Sequence, residues 1–291
     1  MSTEEGPDRA LAATFGGRLN FNTFLNLQDT PEHRALLDRA LKELIPSNFD
    51  KDEGDEALKL VGDLQDAHTY KPEEDGYVFT VAGENLDDPE KAVIKGLAVG
   101  AFFPGSNTGA LWYLVTDENQ RGQGIGRYLT TKTVEGLKDH AQIRGGDLNS
   151  LYAHIHDPRL GRDPADPYDA HERVKFYSKI DARAIPIDFL DPDKMNQGGS
   201  ARPYLLISVP VPGKPFPPEK DNIASHIHDY WECYGYENPE QYPEYQGMME
   251  RLDQLKYVPP LRPEEYLYPE SAADLEENHG LDDRRNEDGM A

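Results

Sequence analysis

The chain has 291 residues, with 30 Lys and Arg against 54 Asp and Glu and a formal net charge of −24. A negative field of this size repels nucleic-acid phosphates and anionic lipid, so neither nucleic acid nor a membrane surface is an expected partner. The single cysteine, Cys233, excludes an internal disulfide and a cysteine-based zinc site. The sequence shows neither a long apolar run nor the basic and apolar regions of a signal peptide, which predicts a cytoplasmic protein.

The first part of the chain holds few regular elements. Residues 1–28 form an N-terminal segment with one short strand expected around 19–27. Thr30 is suited to cap a helix that starts at Pro31, because it can accept from the free N–H groups of the first turn. Apolar residues then recur at helical spacing up to residue 45. Residues 50–76 are acidic, with a possible short helix over 56–64.

Strands and helices alternate over the middle of the chain, and we interpret residues 29–210 as one domain. Turn signals bound most of these elements, such as the Pro-Gly-Ser-Asn run after residue 103. The predicted strands span 77–82, 92–103, 110–115, 151–156, 182–189 and 204–209, and the predicted helices span 124–140 and 170–180.

The composition changes after Pro210. Residues 211–221 are Pro-rich and predict an extended linker. Residues 222–270, the Tyr-rich extension, carry two expected helices near 224–234 and 245–255. Its aromatic residues favour packing either on the chain's own core or on a partner, including a second copy in a homodimer. Residues 271–291 hold two Arg against seven Asp and Glu, which is typical of a disordered tail.

One loop carries the strongest chemical signal. The apolar strand 110–115 leads into glycines at 122, 124 and 126, and the loop opens a helix. Glycines allow close backbone approach and positive φ, and the free N–H groups of a helix start attract anions. Arg121 and Arg127 add positive charge within an acidic protein. The segment therefore predicts a phosphate or pyrophosphate site, with a ligand-free glycine turn as the alternative.

Two better-known phosphate motifs do not fit this loop. The Gly-x-Gly-x-x-Gly fingerprint has a different last spacing, and the Gly-Lys-Ser/Thr of a phosphate loop is absent. The pattern Arg-x-x-Gly-x-Gly, at Arg121, Gly124 and Gly126, closely resembles the acetyl-CoA signature of the GNAT superfamily of N-acetyltransferases. A second segment, 174–183, resembles the family's late Phe-Tyr-x-x-x-Gly element, although Asp181 stands where the family usually has Gly.

The resemblance covers roughly residues 30–210 and implies a fold. That fold is α/β (α+β), with a mixed, mostly antiparallel central sheet that is flanked by helices and splayed at the cofactor strand. It also implies acetyl-CoA, or another acyl-CoA, as the co-substrate. The cofactor-binding residues carried over are Leu114, Val115, Arg121, Gly122, Gln123, Gly124, Ile125, Gly126 and Arg127. Among these, the N–H near Val115 would polarise the thioester carbonyl.

In this family the amine usually attacks the thioester directly, which requires an acid and a base. Tyr177 matches the family's common acid, and its alternative is a core tyrosine beside Phe176. His154 and His156 share one face of a strand, so they are candidates for a base, a substrate contact, a structural role or a metal site. No third ligand stands at an obvious spacing, and no metal is expected. Glu118, near the expected cleft mouth, completes the catalytic candidates, and its alternative is a solvated surface carboxylate.

The implied function is transfer of an acetyl group from acetyl-CoA to a primary amine of a cationic small molecule or peptide. The acidic composition favours a cationic acceptor, and the acids of loop 157–169 could hold its ammonium group. The alternative is a non-catalytic acyl-CoA-binding or interaction module on the same fold.

Overall fold

The computed structural model describes residues 20–25, 30–46, 48–49, 55, 76–160, 169–192 and 203–267. Several predicted segments therefore lie outside the described residues. They are most of the N-terminal segment, the possible helix 56–64, residues 161–168 of the acidic loop and the tail 271–291.

The predicted elements are present over the described residues, with ends that shift by a few residues. The strands are β1 Asn20–Leu25, β2 Gly76–Glu84, β3 Val93–Phe103, β4 Thr108–Thr116, β5 Ser150–His156, β6 Arg183–Leu190 and β7 Pro203–Val209. The helices are α1 Pro31–Leu44, α2 Ile125–Ile143, α3 Ala170–Lys179, α4 Lys220–Cys233, α5 Pro243–Gln254 and α6 Pro263–Leu267. Thr30 caps α1 as expected, because its hydroxyl accepts from the N–H of His33.

The strands form one seven-stranded sheet in the order β1-β2-β3-β4-β5-β7-β6. All of its pairs are antiparallel except β4 with β5, which confirms the mixed, mostly antiparallel sheet. The parallel pairing joins only Thr108–Leu111 to Ser150–Ala153, so the two strands separate beyond it. A bulge leaves Trp112 without a partner on β3 at the same point. The splay predicted at the cofactor strand is therefore present.

Helices cover both faces of the sheet, because alternate residues of a strand point to opposite faces. Ala98 and Phe102 of β3 pack in the same core as α2 and α3. Val99 packs with α1, and Ala101 packs with α4 and α5. The sheet thus separates a face that carries the glycine loop and α3 from a face covered by α1 and the Tyr-rich extension.

The Tyr-rich extension packs on the chain's own sheet. Its apolar residues pack against Phe103, Tyr152 and Phe189, and they include Ile223, Ile227, Tyr230, Trp231, Tyr236, Tyr245, Met248 and Leu252. Trp231 is 0% exposed and Tyr230 2% exposed. These two rings are covered within the chain, so they do not present an aromatic surface to a second copy.

The end of α3 explains the unusual Asp181. This residue has a φ of 60°, in the left-handed region that favours glycine. Its N–H donates to the carbonyl of Ser178, and the N–H of Ala182 donates to that of Tyr177, as in a helix end closed by a left-handed residue. An aspartate therefore adopts here the left-handed backbone conformation that the family usually gives to a glycine.

Replacing Asp181 by glycine should stabilise the fold. Glycine adopts this φ without steric strain, so we expect Asp181→Gly to raise the free energy of unfolding by about 0.5–1 kcal/mol. The exposed contact of Asp181 with Arg262, at 3.9 Å, contributes little. Urea unfolding measures the change, and Asp181→Ala is the matched control, because alanine lacks both the freedom of glycine and the local hydrogen bonding of aspartate. Equal stability of the two variants would contradict the conformational explanation.

Candidate active site

The glycine loop joins the splayed end of β4 to α2. After a short 3-10 turn over Glu118–Gln120, Gly122 and Gly124 adopt φ values of 76° and 86°. Gly124 is the N-cap of α2 and offers no side-chain cap. The expected positive φ is thus present at two of the three glycines, while Gly126 lies inside the first turn of α2.

The start of α2 offers a set of free hydrogen-bond donors. Within the described residues, no backbone N–H from Gly122 to Arg127 donates to a protein acceptor. No acidic residue lies in the first turn of α2 to compensate its dipole. The loop therefore has the donors and the partial positive charge that bind a phosphate or pyrophosphate group.

Gly126 provides space for that group. A Cβ built at this position would lie 3.0 Å from Cε2 of Phe176 on α3 and 3.7 Å from the hydroxyl of Thr116. Any side chain here would crowd the passage between α2 and α3. A Cβ at position 126 would occupy the space that a phosphate group needs in this passage. The glycine loop with Gly126 therefore fits the phosphate end of acetyl-CoA.

Both predicted arginines lie at the loop and are exposed. Arg121 donates to the side-chain oxygen of Asn48 at 2.5 Å. Arg127 donates to the carbonyl of Lys179 at the end of α3. The Arg127 bond ties the first turn of α2 to the end of α3, whereas the Arg121 bond ties the glycine loop to the segment after α1.

A cleft of about 1010 Å³ runs through the gap between β4 and β5. It brings together most of the predicted site residues: Leu114, Val115, Arg121, Gly122, Gly124, Ile125, Gly126, Arg127, His154 and Tyr177. Gln123 is not part of the lining. Glu118 is exposed on the 3-10 turn and does not line the cleft either. The structure thus joins the loop, the splayed strands and α3 in one cavity, but it does not bring Glu118 into it.

Tyr177 lies on α3 and is 6% exposed. Its ring packs edge-on against Phe176, with centroids 5.2 Å apart. Its hydroxyl makes no hydrogen bond to another described residue. Burial raises the pKa of the Tyr177 hydroxyl well above its ordinary value, so the group stays protonated near neutral pH. Tyr177 therefore provides a proton donor inside the cleft.

His154 is held in a cluster of rings. It stacks on Phe189 at 4.2 Å and meets Tyr230 edge-on at 4.4 Å. Its Nε2 is buried without a hydrogen-bond partner among the described residues. Burial lowers the pKa of His154 to about 3. A histidine of such low basicity is neutral near pH 7 and is a poor base for an ammonium group, which favours its role as part of the cleft wall.

The sequence did not indicate one part of this site. The Tyr-rich extension lines the cleft with Tyr230, Cys233 and Tyr234, and Asp191 lies beside them. The density of tyrosines was visible in the sequence, but the sheet face and the strand gap that they cover were not. The extension is therefore part of the cleft wall.

On α4, His228, Asp229 and Glu232 place three possible metal-ligand atoms within 4.8 Å of one another, outside the cleft. In the structure, Nδ1 of His228 lies 3.8 Å from the carboxylate of Asp229 and 3.6 Å from the carboxylate of Glu232. None of the helices in the described ranges combines the length and apolar character that a membrane crossing requires.

Solved structures offer distant likenesses. An aminoglycoside 6'-acetyltransferase type Ii is 17% identical, with 67% of this chain and 99% of that chain covered and a TM-score of 0.42. An aminoglycoside 6'-N-acetyltransferase complexed with coenzyme A is 15% identical, with coverage of 67% and 99% and a TM-score of 0.42. A GNAT-family acetyltransferase from Staphylococcus aureus Mu50 is 16% identical, with coverage of 65% and 98% and a TM-score of 0.38. These TM-scores are too low for the structures to support a conclusion about this chain.

The family comparison is more direct. No curated protein sequence matches the chain. The family model described as "Acetyltransferase (GNAT) family" matches residues 39–160. This range begins within α1, contains β2 to β5 and includes the glycine loop with its free N–H groups. Residues 39–160 therefore match the GNAT family of acetyltransferases.

Proposed function

We propose that the protein transfers an acetyl group from acetyl-CoA directly to a primary amine. The observation that carries this proposal is the cleft through the β4–β5 gap, which has free N–H donors at one end and the Tyr177 hydroxyl along its wall. Acetyl-CoA, when bound, supplies an activated thioester. The backbone of Gly122 to Gly126, with Arg121 and Arg127, holds its pyrophosphate.

The splayed strand provides the next contact. The amide groups of a strand point alternately to its two edges, and beyond Leu111 the β5 edge of β4 has no strand partner. Leu114 and Val115 line the cleft along this edge. A free N–H near Val115 would donate to the thioester carbonyl oxygen and stabilise the negative charge that develops there during attack.

Tyr177 would donate its hydroxyl proton to the leaving thiolate as the C–S bond breaks, and the proton released by the attacking amine nitrogen would restore this hydroxyl. The hydroxyl is protonated and makes no hydrogen bond to another described residue, so nothing within that part of the chain competes for its proton. A binding module would not need an acid at this place. A protonated Tyr177 in the lining of the cleft therefore favours catalysis over the alternative of a non-catalytic acyl-CoA-binding module.

A thiol-release assay with acetyl-CoA and a panel of primary amines tests the proposed function. We expect CoA release that depends on the amine, together with an equal amount of N-acetylated product by mass spectrometry. Acetyl-CoA binding without acetylation of any amine in the panel would contradict transfer and support the binding module.

A further inference from the structure

The end of the Tyr-rich extension returns to the side of the sheet that carries α3. We propose that Tyr266, on α6, is a positioning residue that holds α3 beside the cleft and thereby positions the hydroxyl of Tyr177. The proposal rests on the proposed function, because it assigns a support for the acid of that same site. This support lies outside residues 39–160, the range that the family model matches.

The position of α3 depends on its neighbours. This helix has 10 residues, a length at which an isolated helix is marginal in water. Its main packing partners among the described elements are β5 and α6. Strand β5 belongs to the sheet, whereas α6 belongs to the extension. The helix that carries Tyr177 therefore has one support in the sheet and a second support in the extension.

Two hydrogen bonds fix the path of the extension at α3. The carbonyl of Leu261 accepts from the N–H of Ala184 at 2.9 Å, which attaches the segment before α6 to β6. The N–H of Glu264 donates to the hydroxyl of Ser178 at 3.4 Å. Ser178 follows Tyr177 directly in α3. The extension is thus attached both to the edge strand β6 and to the turn of α3 that carries the proposed acid.

The ring of Tyr266 joins α6 to the core beneath α3. It packs against the apolar cluster that contains Val174 and Tyr177 of α3. The guanidinium of Arg159 lies over the same ring, with its Cζ 4.3 Å from the centroid, and donates to the Tyr266 hydroxyl at 3.2 Å. Because the face of an aromatic ring attracts a cation, these contacts hold the ring in its orientation against the core.

Arg159 is itself anchored at the end of β5. Its Nε donates to both carboxylate oxygens of Asp157 at 3.0 Å, and Asp157 is 5% exposed. A charged pair with several hydrogen bonds has a well-defined geometry, so Arg159 is a firm support for the ring above α3. Both β5 and α3 contribute side chains to the lining of the cleft. Tyr266 therefore connects the two elements whose separation sets the position of the Tyr177 hydroxyl in the cleft.

Hydrogen–deuterium exchange of the full chain tests whether Tyr266 holds α3, without reference to activity. In Tyr266→Ala we expect the amides of α3 to exchange at least about fivefold faster than in the wild type, because the helix loses this packing. Exchange in β2 and β3 should be unchanged, which separates a local effect from loss of the fold. Tyr257→Ala is the matched control, since Tyr257 lies on the same extension and is 63% exposed. Unchanged exchange of α3 in Tyr266→Ala would overturn the proposal, whether or not acetyl transfer is observed.

Kinetics with acetyl-CoA and a primary amine that is acetylated test the effect on catalysis. Tyr266→Ala should lower kcat by at least about tenfold and change the affinity for acetyl-CoA by less than about twofold. Tyr266→Phe keeps the ring and its packing, so it should retain most of the wild-type kcat. Faster exchange of α3 together with a wild-type kcat in Tyr266→Ala would overturn the positioning role.

A double variant shows whether Tyr266 acts through Tyr177. In the Tyr177→Phe background, Tyr266→Ala should lower kcat by less than about twofold, because the hydroxyl that Tyr266 positions is already absent. A further loss of about tenfold in that background would contradict the proposal. A wild-type protein that transfers no acetyl group contradicts the proposed function instead, and the exchange of α3 still decides whether Tyr266 holds this helix.

Discussion

Gly126→Glu is expected to weaken acetyl-CoA binding at least about 100-fold, or ~2.7 kcal/mol. The Cβ alone would approach Phe176 to 3.0 Å, and the added carboxylate would stand beside the helix start at which we propose that the pyrophosphate binds. Steric overlap and like-charge repulsion therefore act together. Gly124→Glu should lose binding as well, because it also places a negative charge at the N-cap of α2. Isothermal titration calorimetry measures both effects.

Two glycine variants with the same backbone strain show whether acetyl-CoA binding is lost because of that strain or because of the position of the added side chain. Gly122 and Gly145 have φ values of 76° and 73°, and nothing lies within 4 Å of a Cβ built at either position. Gly122 lines the cleft, whereas Gly145 follows α2 at its far end. We expect Gly122→Glu to weaken binding and Gly145→Glu to bind like the wild type. Wild-type affinity in Gly122→Glu and Gly126→Glu would exclude the loop as the phosphate site.

Tyr177→Phe is expected to lower kcat by about 100-fold or more and to change the affinity for acetyl-CoA by less than about twofold. The substitution removes only the hydroxyl, which makes no hydrogen bond to another described residue, so the packing against Phe176 is kept. The thiolate would then leave without a positioned proton donor. Steady-state kinetics and calorimetry measure the two quantities.

Tyr152→Phe is the control for this prediction. Tyr152 is fully buried, and its hydroxyl donates to the side chain of Asn222 at 2.7 Å outside the cleft. Loss of this hydroxyl should lower the free energy of unfolding and leave kcat close to the wild-type value. If kcat of Tyr177→Phe equals that of the wild type, Tyr177 is not the acid and only packs beside Phe176.

The sequence was sufficient to predict the strands, the helices α1 to α5, and the glycine loop that precedes α2. These depend on local patterns, such as the cap at Thr30 and the glycines before α2, which the neighbouring residues determine. The part of the cleft wall formed by the Tyr-rich extension could not be predicted in this way. It brings Trp112 of β4 to Tyr230 of α4, more than 100 residues later, and no local pattern indicates which sheet face a later helix covers.

His154 and Glu118 illustrate the same limit at single residues. The sequence analysis placed His154 on a strand beside the expected cleft, and in the structure His154 lines that cleft. The rings of Phe189 and Tyr230, which lower its pKa, come from β6 and α4. Glu118 was expected near the cleft mouth, with a solvated carboxylate as the alternative, and in the structure it is exposed on the 3-10 turn and does not line the cleft. Proximity along the chain was a good guide to the loop and a poor guide to side-chain direction.

Hydrogen–deuterium exchange with and without saturating acetyl-CoA tests the central claim most directly. The backbone N–H groups from Gly122 to Arg127 donate to no described residue, so they should exchange rapidly in the free protein. We expect acetyl-CoA to slow exchange strongly in peptides that cover this loop and to leave peptides from α5 unchanged. Saturating binding without any protection of the loop would contradict the claim that these donors hold the pyrophosphate.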